Sequence, residues 1–477
     1  MARIDQLLET MRTYSPQQCL DGDGGSHTYA DLLDEIDLWG ERLNGFGVEP
    51  GTVVGVRADY SLSSIAAILA LLSRRAIAVF IPRDRAYERY LHDSHATAIL
   101  DLSDPSAETP WRPVACTTTH PLLDRLRAER DGGIILFTSG STGRPKAVLH
   151  SAERFLHKFR KPGRRFRTLA FLLFDHVAGV DTMLYTLVSG GTLILTRRRD
   201  PRSIGALIES HLVEVLPTSP SFLRLFCATE TAARQELPSV QIITYGSEPM
   251  DPSTLARLSA RFPKVQLMQK YGTSETGSPR TISRGSDSLW LRFKSSDDFE
   301  TRVVDGVLWI RTPGTLLGYL NAPSPVDENG WYCTADLVDV DGPWVRFRGR
   351  ASDTINVGGE KVTPAEVEHT ILELEFVREV VVSSAPHSLL GRIVTARVVI
   401  APGTVDARKA VILIWQHCRA RLAPYKAPAS IEIVAGGLTD DRQKAKRQRV
   451  DATTGAAADR RLPEPQACPD TDRRTRP

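Results

Sequence analysis

Hydrophobic positions follow two alternating patterns along most of the chain. Short runs rich in β-branched and aliphatic residues occur at 52–56, 77–81, 98–102, 133–137, 192–195 and 241–244. Between several of them, apolar residues return every three or four positions, as at 203–211 and 252–261. The first pattern fits buried strands and the second fits helices with one apolar face. Strands that alternate with helices predict parallel sheet with crossover helices. The greasiest stretch, 61–82, is interrupted by Arg74 and Arg75. A pair of arginines is costly in a bilayer, so this stretch predicts a buried helix and then a buried strand, Ala76 to Ile81.

From about Asp298 the strand-like runs crowd together, at 301–304, 307–311 and 344–348, and predict a smaller β-rich layer. After Arg350 the pattern starts afresh, with a helix at 364–374, strands at 377–383 and 393–400, and a helix at 407–421. That is an α+β unit of roughly 100 residues. From Asp451 onward apolar residues almost vanish, which predicts disorder. The expected α/β fold has a large N-terminal domain over 1–349, built of parallel-sheet α/β layers plus a β-rich subdomain. A hinge at 350–353 then leads to a small mobile α+β C-terminal domain over 354–450 and a disordered tail over 451–477.

Composition narrows this picture modestly. A chain of 477 residues is too long for one core. A formal charge of +3 gives no electrostatic reason to expect nucleic acid as a partner. The basic run 442–449 reads as a solvated surface. Cys19, Cys116, Cys227, Cys333, Cys418 and Cys468 are dispersed, with no Cys-x-x-Cys and no metal-ligand spacing with histidines. Scattered thiols suit a reducing compartment, and the N-terminus lacks the apolar core of a secretory signal. The expectation is a cytoplasmic protein with no membrane partner.

The densest chemical signal follows the run at 133–137. There Thr138-Ser139-Gly140-Ser141-Thr142-Gly143 leads through Arg-Pro to Lys146. Glycines let backbone amides approach phosphate oxygens, the hydroxyls add donors, and Lys146 adds positive charge. The spacing differs from the Gly-x-x-x-x-Gly-Lys-Ser/Thr of kinase-type nucleotide hydrolases. A plain Gly/Ser turn is the bland alternative.

This segment resembles the signature loop of the adenylate-forming superfamily, which includes acyl- and aryl-CoA synthetases, peptide-synthetase adenylation domains and beetle luciferases. Further motifs follow in that family's order. They are His27-Thr-Tyr-Ala-Asp-Leu32, Arg75-Ala-Ile-Ala-Val-Phe-Ile-Pro82, Tyr245-Gly246-Ser247-Glu248-Pro249 and Tyr271-Gly272-Thr273-Ser274-Glu275. After them come Gly306-Val-Leu-Trp-Ile310, Gly318-Tyr-Leu320, Tyr332-Cys-Thr-Ala-Asp336, Gly349-Arg350 and Gly358-Gly-Glu-Lys-Val-Thr-Pro-Ala-Glu-Val-Glu368. The likeness spans about residues 27 to 450.

The resemblance implies an enzyme that joins a small carboxylic acid to AMP, using ATP and Mg²⁺ and releasing pyrophosphate. It assigns nucleotide contacts to Thr138 through Gly143, Lys146, Gly246 through Glu248, Tyr271 through Ser274, Asp336 and Arg350. Tyr271 would present a face to adenine. Asp336 would accept from the ribose hydroxyls, with Arg350 beside it. Glu275, with Thr138, would hold Mg²⁺, a hard ion that prefers oxygen ligands. The chain departs from the family at Thr-Ala-Asp336, where relatives carry Thr-Gly-Asp or Ser-Gly-Asp. It departs again near the end, where a Gly-Lys is usual and this chain reads Gln443-Lys444-Ala-Lys446-Arg447. Lys444 is the expected catalytic lysine, Lys446 the competitor, and two surface lysines the alternative. Ser352 stands where relatives often carry a hinge acid, with Asp353 next to it.

The acid is expected near Phe174-Asp175-His176 and Gly179, with Tyr245 in the wall. Asp175 either faces the pocket, where an amino group on the substrate would neutralise it, or caps the helix that follows. His176 either contacts the reacting acid or packs in the core. The acceptor would be CoA, the phosphopantetheinyl thiol of a separate carrier protein, or an amine, with a thiol giving a thioester. Two other readings stay open: adenylation of nitrite to diazotise an aromatic amine, and a nucleotide-binding protein without catalysis.

Overall fold

The computed structural model describes residues 2–82, 87–103, 110–116, 119–138, 144–228, 237–294 and 299–438. The apolar runs become strands, but these divide between two sheets, because periodicity marks a strand without saying which neighbour it will pair with. In the first sheet Gly133–Thr138, Ile77–Phe80, Val53–Arg57 and Ala98–Asp101 lie parallel. Antiparallel strands close both edges, Trp111–Pro113 on one side, Lys146–Ser151 and then Gly318–Tyr319 on the other. The second sheet runs Gln266–Gln269, Ile242–Tyr245, Val215–Thr218, Arg167–Leu169, Thr192–Leu195 and Gln18–Gly22, all parallel, with His27–Thr28 antiparallel at its edge.

Helices Tyr29–Gly45, Leu62–Ser73 and Val177–Val188 share one core with both sheets. In it Leu32, Ile65, Ile68 and Leu184 meet Val54, Phe80 and Leu136 from the first sheet and Leu20, Leu193 and Leu195 from the second. Leu62–Ser73 is buried at every position from Ser64 to Leu72. A helix covered by sheets on two sides is apolar all round rather than striped. The helix starts at Ser61, whose hydroxyl accepts from the Ser64 amide at 3.1 Å. It ends at Arg74, which donates to the Val48 carbonyl at 2.9 Å. The arginines therefore terminate the helix in protein. No described helix is long and apolar enough to cross a membrane.

The β-rich layer is an antiparallel six-stranded sheet ordered Thr281–Ser283, Leu291–Phe293, Trp344–Arg350, Tyr332–Asp341, Val307–Arg311 and Glu300–Val304. The small C-terminal domain packs helices Pro364–Leu372 and Ala407–Arg421 on the sheet Val377–His387, Gly391–Ile400 and Ser430–Ile433, around Val367, Ile371, Val398 and Ile414. Ser253 of the large domain donates to the Leu372 carbonyl at 3.3 Å, so the two domains touch. Lys444, Lys446 and the tail from 451 lie outside the described residues.

Candidate active site

The expected phosphate loop lies between the antiparallel strands Gly133–Thr138 and Lys146–Ser151, with Thr138 paired to Lys146. Ser139, Gly140, Ser141, Thr142 and Gly143 lie outside the described residues, but the anchoring of the loop's return arm is clear. Asn321 accepts from the Ala147 amide at 2.9 Å and donates to the Pro145 carbonyl at 2.8 Å and to Asp93 at 3.0 Å. Arg144 donates to the same Asp93 at 2.6 Å. Burial works against the Asp93 carboxylate, yet hydrogen bonds from Arg144, His92 and Asn321 hold it below the usual carboxylate range. Lys146 Nζ lies 4.9 Å from the centre of the Tyr319 ring. Tyr319 in turn donates to Glu275 Oε1 at 2.8 Å. One tyrosine thus joins the loop lysine to the expected metal-binding carboxylate, which is only 8% exposed.

A second link runs underneath. His150, in the strand after the loop, donates from Nε2 to the Ser274 carbonyl at 2.6 Å. Burial drives its pKa down to about 4, so the ring is neutral. The turn it supports is tight. Thr273 Oγ1 accepts from the Thr276 amide at 3.1 Å, and a Cβ on Gly272 would come within 2.7 Å of Ser278 Oγ.

Tyr271, Asp336 and Arg350 form one unit. Tyr271 donates to Asp336 Oδ2 at 2.7 Å, and Arg350 Nε donates to Oδ1 at 3.2 Å. Asp336 and Arg350 are register partners on adjacent strands. Burial raises the Asp336 pKa, and Arg350 opposes that shift. One face of the Tyr271 ring is covered by Phe347, stacked at 4.6 Å and 9°, and Phe293 lies edge-on to the ring at 5.6 Å. Ala335 adopts a φ of 58° just before the acid, which explains why glycine suits this position. An alanine there carries about 1 kcal/mol of strain.

The turn after Ile242–Tyr245 is equally constrained. A Cβ on Gly246 would come within 2.7 Å of the Lys270 carbonyl, and Ser247 has a φ of 72°. Glu248 accepts from the Ser221 amide at 2.5 Å, at the start of helix Pro220–Cys227, so its carboxylate serves a helix N-terminus. Tyr245 is 1% exposed and belongs to the core wall.

Before helix Val177–Val188 one alternative is corrected. The residue that caps helix Val177–Val188 is His176, whose Nδ1 accepts from the Ala178 amide at 3.2 Å, not Asp175. Capping by His176 was not among the sequence expectations. Gly179 is a packing glycine, since a Cβ there would lie 1.9 Å from the Leu173 carbonyl oxygen. Asp175 itself is 6% exposed. At the joint, Ser352 donates to Asp353 at 3.1 Å in a single 3-10 turn, Ala351–Asp353, directly after the strand that ends at Arg350.

Several neighbours escaped the sequence reading: Asn321, Tyr319, His150, Phe347 and the lysines Lys158 and Lys270. Asn321 and Tyr319 sit in or beside the short Gly318-Tyr-Leu320 motif, and Lys270 directly precedes Tyr271, so adjacency to a motif was their only signal.

The AMP-binding enzyme family model matches residues 8–320, and the model for the family's C-terminal domain matches 366–442. A long-chain-fatty-acid–CoA ligase of Mycobacterium tuberculosis is 26% identical over 451 residues, covering 85% of this chain and 88% of the relative. A 3-hydroxybenzoate–CoA ligase of an Aromatoleum species is 26% identical, with 88% and 90% covered. Among solved structures, the anthranilate CoA ligase AuaEII in complex with anthranoyl-AMP superposes with a TM-score of 0.79, at 20% identity, covering 94% of this chain and 95% of that one. The chain belongs to the AMP-binding enzyme family and is an AMP-forming ligase.

Proposed function

We propose that this ligase activates a small acyl or aryl carboxylic acid as its acyl-AMP and passes the acyl group to a thiol of CoA or of a carrier protein. The observation that carries this reading is the link from the phosphate-loop hairpin to the ribose-side acid. Lys146, Tyr319 and Glu275 form one chain of contacts, and Tyr271, Asp336 and Arg350 form the next.

The chemistry needs positioning more than covalent help from the protein. Asp336, held from both oxygens, keeps lone pairs for the ribose hydroxyls. Tyr271 offers a ring face to adenine. Lys146 and the loop amides neutralise the triphosphate, so that a carboxylate oxygen attacks the α-phosphorus and the bond to pyrophosphate breaks. Among the described residues no group of three or more His, Cys, Asp or Glu side chains could hold a metal. Mg²⁺ keeps several of its waters and is bound through one or two carboxylates plus phosphate oxygens. Glu275 would hold it, and when bound it supplies charge neutralisation of the phosphates. Lys444 is the proposed lysine for the developing phosphoryl charge. Asp175 and His176 border the acid.

A pyrophosphate–ATP exchange screen across aliphatic, aromatic and amino acids, with nitrite included, tests this reading. Exchange that depends on a carboxylic acid, followed by thioester formation with CoA, is the expected result. Exchange that needs nitrite, or ATP binding without exchange for any acid, would overturn it.

A further inference from the structure

A recess of about 500 Å³ opens in the large domain, away from the phosphate loop. Its walls come from the start of helix Arg3–Arg12, the turns after helices Leu62–Ser73 and Pro121–Ala128, and the short helix Ala152–Leu156. Ser151, which lines it, pairs with Gly133 at one end of their two strands, whereas Lys146 pairs with Thr138 at the other. Strand Gly133–Thr138 has 6 residues, so the two ends lie roughly 17 Å apart. The recess is therefore separate from the expected nucleotide site. Ile4, Leu72, Ala152 and Leu156 give it a buried apolar floor. Arg75, Arg130 and Arg154 line it as well, each with an exposed side chain.

The carboxylates of the recess are engaged, and not by these arginines. Glu129 accepts from Arg125 Nε at 2.8 Å. Glu153 accepts from the Arg3 amide at 2.9 and 2.7 Å through its two oxygens. Asp131 accepts from the Ser151 hydroxyl and from the Glu153 amide, the latter at 3.3 Å. Among the described residues no carboxylate forms an ion pair with Arg75, Arg130 or Arg154. Arg75 Nη1 instead donates to the Arg130 carbonyl at 3.3 Å, which holds the two turns together. Both turns place arginine at a positive φ, 58° at Arg75 and 52° at Arg130. Glycine suits such helix ends better, and a side chain there costs about 1 kcal/mol. Backbone geometry therefore gives no reason for arginine at either position. A single unpaired arginine on open surface needs no explanation, but three around one apolar-floored recess make a receptacle. Guanidinium forks match a carboxylate, and the floor takes an apolar body.

We propose that this recess is a second, non-catalytic binding site for an amphiphilic organic carboxylate. Arg75, Arg130 and Arg154 take the charged head, and the apolar body lies on Ile4, Leu72 and Leu156. The site goes beyond the ligase reading and does not rest on it, because it contains none of the residues placed around the nucleotide or the acid. No bond forms or breaks there. Head and body contribute together, so neither a bare anion nor an uncharged chain gains the whole of the binding.

Titration calorimetry with octane-1-sulfonate tests the site. Its sulfonate stands in for the carboxylate and cannot be consumed as an acid substrate. Inorganic sulfate and octan-1-ol supply head and body alone. The parent protein should bind octane-1-sulfonate at least about tenfold more tightly than either, the worth of one charge-assisted contact. A saturating non-hydrolysable ATP analogue should leave that affinity unchanged. The double variant Arg130→Gln, Arg154→Gln should lose at least about tenfold, with ATP affinity and melting temperature as in the parent. Arg75→Gln alone should weaken binding in the same direction, which reads the site separately if the double variant is unstable. Absence of binding in the parent would overturn the proposal, as would sulfate or octan-1-ol binding as tightly as the amphiphile. Parent-like affinity in the arginine variants, or displacement by the ATP analogue, would place the ligand elsewhere and overturn it too. None of these results alters the ligase reading, which pyrophosphate exchange tests on its own.

Discussion

The two sides of Tyr271 are built on opposite electrostatic plans. On the ribose side the charged groups arrive already matched. Asp336 is held by Tyr271 and Arg350, and Glu275 accepts from Tyr319 beside Lys146. Beside helix Val177–Val188, Lys158 pairs with Asp181, Asp175 is buried, and Lys270 and Arg280 are exposed. A site for a ligand that never varies can afford to be assembled in advance, since its hydrogen bonds fix groups in the pose that binding needs. A site that must select among acids gains discrimination from charge left unmatched until the right partner enters.

Removing charge at the nucleotide end should give the largest effect. Lys444→Ala is expected to slow adenylate formation by about 10²- to 10³-fold, the usual cost of losing one transition-state donor. ATP affinity, measured by titration calorimetry, should barely change. Parent-like turnover in this variant would transfer the role to Lys446 or remove it.

The matched side should also show its dependence on pH. His150 is held neutral, with its pKa at about 4 in the fold against an ordinary value of about 6.5. As pH falls below about 6.5 the unfolded chain takes up the proton first, so stability is full above that pH and declines toward pH 4, by up to about 3 kcal/mol. Urea denaturation at pH 7.5 and pH 4.5 measures this, and His150→Gln should flatten the dependence. An unchanged slope in that variant would mean that other groups dominate the acid response.

Glu275→Gln keeps an acceptor for Tyr319 but removes the charge offered to the metal. Its requirement for Mg²⁺ in turnover should rise by about tenfold, with little change in melting temperature. A metal requirement equal to the parent's would take Glu275 out of the metal site. The smallest effect belongs to Ala335→Gly. Relief of the positive φ should stabilise the fold by at most about 1 kcal/mol, partly offset by the greater freedom of glycine when unfolded. Calorimetric melting would detect it, and clear destabilisation would contradict the strain assigned to Ala335.

What could be read in advance follows the same division. Strand and helix positions were legible because buried strands and crossover helices need distinct apolar periods, as at Thr192–Leu195, Pro252–Arg261 and Ala407–Arg421. The split into two sheets was not, because pairing depends on partners distant in sequence. Motif residues such as Asp336 and Glu275 could be singled out from the strings that contain them, and the fold buries both. Asn321, Tyr319 and His150 were hidden because they act by holding another group, and any residue of suitable reach can do that. His176 rather than Asp175 caps its helix because side-chain geometry, invisible in sequence, decides between adjacent acceptors.

The most direct test follows oxygen. With an acid that supports exchange, labelled with ¹⁸O in its carboxylate, mass spectrometry of the nucleotide after transfer to the thiol should find AMP carrying one labelled oxygen and pyrophosphate carrying none. Unlabelled AMP, or ADP with labelled phosphate, would mean that the acid oxygen never met the α-phosphorus, and the assignment of this site would be wrong.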